Sequence, residues 1–263
     1  MMLKDKLRLA ADYVRFRLHA RSRYTIHSPF LFELVNDVLR DKRHFYAFDE
    51  IEKIREQLLA DNTRIRENHY GEPSKALPES RRMSDITRVA ALPARYGKLL
   101  FRLVNHLRPA GILELGTGTG ISTLYLASAS TNVPVISLEA SPVLGEKARQ
   151  QAARMRLNNV RIITGNFTDT LEEALRQLPQ PLFVFIDGDH NKAHLLHYLE
   201  RLLPFTKPDS TIVIDDIYWS EEMKHAWCEI IRLPQVTMSV DMFRLGILFF
   251  RKGMVKQHVK AVI

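Results

Sequence analysis

From Tyr96 to Ile231, short apolar runs alternate with amphipathic stretches, and this alternation constrains the fold of the 263-residue chain more than any other feature. The runs Ile112–Leu115, Val133–Leu138, Val160–Thr164, Leu182–Ile186 and Thr211–Ile214 read as buried strands. Helical spacing occupies the intervals at Ile121–Ala129, Val143–Leu157, Thr170–Leu178, Lys192–Leu203 and Glu221–Ile231, and a further helix carrying Leu99, Leu100, Leu103, Val104 and Leu107 on one face precedes the first strand. A helix between consecutive strands returns the chain in the same direction. The pattern therefore predicts an α/β fold with a doubly wound, parallel sheet that binds ligands beyond the carboxyl ends of its strands. The last two runs, Val236–Val240 and Leu245–Phe250, are separated by only the four residues Asp241–Arg244, which leaves no room for a crossover and predicts an antiparallel pair.

The first strand runs directly into glycines at Gly116, Gly118 and Gly120, where the backbone can take positive φ and approach a ligand without an intervening Cβ. The spacing is GxGxG, and Ile121 stands where a dinucleotide fingerprint requires a small residue, so NAD is disfavoured. The chain contains no GxxxxGK[ST] loop either. Glu139 closes the second strand 19 residues beyond Gly120, about the separation at which a strand-end carboxylate accepts hydrogen bonds from a ribose diol. Ser141 and Pro142 follow as an expected N-cap and first helical residue.

Carboxylates also gather at later strand ends. The fourth strand is followed by Asp187, Asp189 and His190, and the fifth by Asp215 and Asp216. Like charges this close raise one another's pKa unless a cation or hydrogen-bond donors offset them, so a divalent cation is one solution. Oxygen ligands suit magnesium, calcium or manganese. Asp189 reads instead as a cap for the helix beginning near Lys192.

Residues 1–94 read as a helical extension, with Ser28–Pro29 opening a helix through Arg40 and a second helix near Asp49–Leu59; Tyr70–Ser80 reads as a loop. The expected division is a basic extension, 1–94, covering substrate or forming a homodimer contact, and a main domain, 95–263. Residues 1–110 hold 22 Lys and Arg against 14 Asp and Glu, whereas the rest of the chain is balanced, so the excess of +8 is N-terminal and could attract nucleic acid or an acidic substrate. Cys228 stands alone and reads as a helix-packing thiol in a reducing compartment. With no leader-like or membrane-length apolar run, a cytoplasmic location is expected.

Taken together, GluLeuGlyThrGlyThrGly at 114–120, LeuGluAla at 138–140, GlyAsnPhe at 165–167 and IleAspGlyAspHis at 186–190 resemble class I S-adenosylmethionine-dependent methyltransferases. The acids after strands four and five, and TyrGlyLysLeuLeu at 96–100, resemble the metal-dependent catechol and caffeoyl-CoA type O-methyltransferases. The resemblance covers about residues 92–250. It implies a Rossmann-like seven-stranded sheet with an antiparallel last strand. It further implies that the Gly116–Gly120 turn, with Thr117 and Gly118, and Ser122 hold the methionine portion of the cofactor, that Glu139 binds the ribose hydroxyls, that backbone near Asn166 and Phe167 faces the adenine, and that Glu114 and Ala140 also belong to the cofactor site.

By the same resemblance Asp187, Asp215 and Asp216 fall at the metal positions, although asparagine is usual at the third, and Asp187 becomes a catalytic residue. His190 stands where that family has a lysine, which makes it the candidate base. The Asn/Asp-Pro-Pro-Tyr motif of enzymes that methylate base or amide nitrogen is replaced by AspGlyAspHis. The leading expectation is metal-assisted O-methylation of a small hydroxylated molecule. An RNA methyltransferase using the basic N-terminal region and a non-catalytic cofactor-binding assembly module are the two alternatives. Tyr24, His27, Phe30, Tyr70, Tyr218 and Trp219 are candidates for either acceptor contacts or packing.

Overall fold

The computed structural model describes residues 3–20, 28–66 and 80–262. Eight strands form one mostly parallel sheet: β3 (Gly111–Leu115), β4 (Val135–Glu139), β5 (Val160–Thr164), β6 (Leu182–Ile186), β7 (Thr211–Ile214), β8 (Met238–Asp241), β9 (Gly246–Phe249) and β10 (Gln257–Lys260). Their order is β10-β8-β9-β7-β6-β3-β4-β5, and a separate two-stranded ribbon pairs β1 (Arg64–Arg66) with β2 (Ser80–Arg82). The chain divides into two compact units, 1–41 with 180–263, and 42–179.

Within 42–179, β3, β4 and β5 pair in parallel, with Ile112 opposite Val135 and Val135 opposite Val160. The helices here are α3 (Tyr46–Ala60), α4 (Met83–Ala90), α5 (Ala94–Leu107), α6 (Ile121–Ser128), α7 (Pro142–Arg154) and α8 (Phe167–Gln177), numbered after α1 (Leu3–His19) and α2 (Pro29–Leu34) of the other unit. Ser141 caps α7 as its sequence predicts, accepting from the Leu144 amide with proline at the first helical position. Helix α8 begins three residues before the expected start because the Asn166 side chain accepts from the Thr168 amide.

Helix α5 meets α6 closely enough that a Cβ on Gly97 would lie 2.4 Å from the Tyr125 ring. That ring is buried and its hydroxyl donates to Glu52 at 2.7 Å. Gly97→Ala is therefore expected to cost about 1–3 kcal/mol through overpacking, read as a lower denaturant midpoint at unchanged m. A midpoint equal to wild type would show that the Tyr125 ring has room to move.

Within 1–41 and 180–263, β6 and β7 pair in parallel, and β9 is antiparallel to both β7 and β8. The expected antiparallel insertion is thus present. The sheet exceeds the expected seven strands by β10, which pairs in parallel with β8 and buries Val259. One buried residue in the run gives little strand periodicity in the sequence. Helices α9 (Lys192–Leu202) and α10 (Glu221–Ile230) complete this unit with α1 and α2.

Ser28 caps α2, whose continuation through Val35–Leu39 is a π-helical turn. Cys228 is exposed on α10 and not packed, contrary to expectation. Asp189 does not cap α9: Asn191 does, accepting from the Ala193 and His194 amides. The Asp189 side chain pairs instead with His194 and accepts from the Tyr198 hydroxyl at 3.4 Å. No helix among the described residues is long and apolar enough to cross a membrane. Tyr24, His27 and Tyr70, and the expected loop through residue 79, lie outside the described residues. Phe30 and Tyr218 are buried, whereas Trp219 is half exposed.

Candidate functional site

In the unit formed by residues 42–179, β3 leads into the glycine turn and then α6. Gly116, Gly118 and Gly120 all take positive φ, at 98°, 52° and 88°. A Cβ at Gly120 would sit 2.9 Å from Ala148 Cβ, so the third glycine serves helix packing, while nothing lies within 4 Å of the corresponding position at Gly118, where the backbone is open to a ligand. The Gly116 and Thr117 amides both donate to the Leu138 carbonyl, tying the turn to β4. The Thr117 hydroxyl donates to the same carbonyl at 3.1 Å and meets Ser137. Thr117 is 2% exposed, so its side chain braces the turn from beneath.

Glu139 accepts from the Gly118 amide at 2.7 Å through Oε2 and from the Ser141 amide at 2.8 Å through Oε1. One backbone amide at each oxygen fixes the carboxylate against the glycine turn. The Glu139 carbonyl accepts from the Gly165 amide, which ties the Asn166–Phe167 segment to the same strand end. Glu114, Ser122 and Phe167 are buried there, and Ala140 is partly exposed. The Asn166 side chain is engaged in capping α8.

Glu114 is fully buried, and its Oε2 accepts from Ser137 at 2.6 Å and from Thr123. Burial raises its pKa to about 7, only partly offset by the Ser122, Ser137 and Thr123 hydroxyls. The folded protein therefore binds a proton that the unfolded chain releases, and stability falls as pH rises from about 4.5, the unfolded value, to about 7. The loss across that window is of the order of 3 kcal/mol. Glu114→Gln is expected to flatten this part of the stability profile, measured by denaturant unfolding at several pH values. An unchanged slope in the variant would assign the effect to other groups.

The unit of 1–41 and 180–263 carries the acids. Asp187 follows β6 and is partly exposed. Asp215 follows β7 and is 1% exposed, with its amide bonded to the Ile186 carbonyl. Both of its carboxylate oxygens accept from one guanidinium: Oδ1 from Arg244 Nε at 2.8 Å and Oδ2 from an Arg244 terminal nitrogen at 2.7 Å. Asp215 Oδ1 also accepts from the Asp216 amide at 2.8 Å.

Asp216 takes φ of 52°, a left-handed conformation uncommon for a residue with a side chain. Its Oδ1 lies 3.5 Å from Arg244 Nε and its Oδ2 lies 3.6 Å from His190 Nε2. Burial and the Asp215 charge raise the Asp216 pKa, opposed by Arg244 and His190. Burial disfavours the Arg244 charge, but hydrogen bonding and attraction to Asp215 outweigh it and hold the guanidinium above its ordinary range. The His190 ring packs 5.8 Å from Trp219.

Arg244 is the residue that sequence reasoning missed, since the spacing of Asp241–Arg244 announces only a hairpin connection. Its turn is rigidly held. The Ile217 amide donates to the Arg244 carbonyl, Asp241 accepts from the Phe243 amide at 2.8 Å and the Tyr218 hydroxyl at 2.9 Å, and the Tyr218 and Phe243 rings stack at 4.6 Å.

Two members of the expected metal set, Asp215 and Asp216, already face a cation of the chain's own, Arg244. A hard divalent cation needs several carboxylate oxygens directed at one point, whereas both oxygens of Asp215 already accept from a guanidinium. Among the described residues no group of three or more His, Cys, Asp or Glu is arranged to hold a metal. As they stand, Asp215 and Asp216 are paired with Arg244 and do not present their oxygens together to a divalent cation.

Residues 113–217 match a family described as a methyltransferase domain. The chain shares the fold of solved methyltransferases. Over 136 residues it is 32% identical to a catechol O-methyltransferase of Mycobacterium tuberculosis, covering 51% of this chain and 60% of the relative. Over 124 residues it is 33% identical to a catechol O-methyltransferase of Niastella koreensis, covering 46% and 55%. The chain thus spans little more than half the length of these two relatives. Among solved structures, an O-methyltransferase from Bacillus cereus in complex with SAH superposes with a TM-score of 0.56 at 21% identity, covering 82% of this chain and 96% of that one. TomG from Streptomyces achromogenes, an O-methyltransferase in complex with SAM, superposes at 0.57 with 18% identity, covering 84% and 95%. The methyltransferase match of residues 113–217 includes the glycine turn, Glu139, Asp187, His190, Asp215 and Asp216.

Proposed function

We propose that the protein is an S-adenosylmethionine-dependent O-methyltransferase acting on a small hydroxylated molecule. The observation that carries this reading is the left-handed glycine turn whose open Gly118 backbone is fixed by Glu139, in a chain that matches methyltransferase relatives. In it, Gly116–Gly120 and Ser122 hold the methionine portion, Glu139 accepts from the ribose hydroxyls, and the backbone at Asn166 and Phe167 faces the adenine. Glu114 stiffens the turn from within the core.

When bound, S-adenosylmethionine supplies a sulfonium methyl group that an oxygen nucleophile can take, the sulfur leaving as a thioether. The chain's own contribution is to orient the acceptor oxygen and remove its proton. With Nε2 turned toward Asp216, His190 takes that proton at Nδ1, and the carboxylate stabilises the imidazolium that results. Trp219, beside His190 and half exposed, offers a face for an aromatic or otherwise flat acceptor.

Residues 1–94 serve in this reading as acceptor cover or homodimer contact. The test is calorimetric titration with S-adenosylmethionine followed by a mass-spectrometric screen of hydroxylated acceptors. Saturable binding and transfer of one methyl group to oxygen are expected. Absence of donor binding would remove the enzyme reading. Transfer to RNA, with binding that weakens steeply as salt rises, would replace it with the nucleic-acid alternative.

A further inference from the structure

We propose that Arg244 occupies the place of a divalent cation in this chain, neutralising Asp215 and Asp216 from within, so that the acid cluster needs no metal to keep its charge and shape. The inference rests on the methyltransferase reading only for what the cluster does; the pairing itself stands on geometry. A guanidinium presents its donors in a planar fork that matches a carboxylate at both oxygens, and the 2.8 and 2.7 Å contacts to Asp215 are such a fork. Asp215 is almost completely buried, so a metal at its oxygens would have to compete with Arg244 for them.

The backbone makes the substitution permanent. Antiparallel pairing sets Ile214 opposite Gly246, so the chain leaving β7 through Asp215 passes the chain entering β9 from Arg244. The bond from the Ile217 amide to the Arg244 carbonyl fixes that passage, and the Tyr218–Asp241 bond closes the turn behind it. The strained Asp216 backbone then directs the second carboxylate between Arg244 and His190. An aspartate at the third acidic position adds a charge that the guanidinium and His190 together face. Arg244 is therefore a positioning residue: it holds the carboxylate against which His190 is set.

The decisive experiment uses the full chain, stripped of metal by chelation. Mn²⁺ binding is followed by electron paramagnetic resonance, S-adenosylmethionine binding by calorimetry, and turnover on the acceptor found in the screen is compared in EDTA and in Mg²⁺. Wild type is expected to show no saturable Mn²⁺ binding and turnover in EDTA within about twofold of that in Mg²⁺. Arg244→Gln is expected to lower turnover at least about tenfold with donor affinity retained, and Arg244→Lys, which keeps the charge but loses the fork, to recover part of it.

Saturable Mn²⁺ binding to wild type that Asp215→Ala abolishes, or turnover lost in EDTA and restored by Mg²⁺, would overturn the proposal. These wild-type results decide even if both Arg244 variants fold poorly. If the donor fails to bind, the enzyme reading falls, while the Mn²⁺ measurement still judges the role of Arg244.

Discussion

His190→Ala is expected to lower kcat by about 10²–10⁴-fold, the span typical of a lost general base, while donor affinity stays at the wild-type value. The separation of effects is what identifies the role. His190 precedes α9, 3.6 Å from Asp216 and against Trp219, whereas the donor cradle is built from the ends of β3 and β4. A residue that only supported the fold would lower the melting temperature and both kinetic constants together. Steady-state turnover at saturating donor, paired with calorimetry on the same preparation, distinguishes the cases. A variant that turns over within about threefold of wild type would remove His190 from proton transfer. His190→Gln, which keeps hydrogen bonding but has no titrating nitrogen, is expected to be as slow as the alanine variant.

The second large effect is on the donor. Glu139→Ala is expected to weaken S-adenosylmethionine binding by about 100-fold, because two hydrogen bonds from a diol to a charged group are worth about 3 kcal/mol together. The same change removes the acceptor of the Gly118 and Ser141 amides, so the glycine turn loses its brace as well as its ribose contact. Calorimetry with adenosine as a second ligand tests the location of the loss: affinity for this ribose-bearing fragment is expected to fall in the same proportion. If Glu139→Ala binds the donor within about threefold of wild type, the diol assignment is wrong.

Much of this arrangement is legible in the sequence for a physical reason. Buried parallel strands such as Ile112–Leu115, Leu182–Ile186 and Thr211–Ile214 declare themselves as apolar runs, and Ser141–Pro142 announces a helix start. Gly116, Gly118 and Gly120 could be placed because positive φ selects glycine. Properties that depend on long-range pairing were hidden. Asp189 and Asn191 are both competent caps two positions apart, and only the backbone path decides that Asn191 serves α9. Strand β10 depends on an edge offered by β8, not on its own pattern.

Arg244 was hidden most completely, although one signal existed. Once Leu245–Phe250 is taken as antiparallel to its neighbour, the residue preceding it must run beside the residue following β7, and that residue is an aspartate. Opposite charges brought together by register are a reason to suspect an internal ion pair before assigning a metal.

Helix α1 carries a practical consequence for anyone shortening this protein. Phe16 and Tyr13 lie 5.5 and 5.0 Å from the Phe243 ring, Asp12 is bonded to Lys224 at 2.7 Å, and Arg8 donates to the Trp219 carbonyl. Trimming the first twenty residues to obtain a shorter chain would unroof the very bend that presents Arg244.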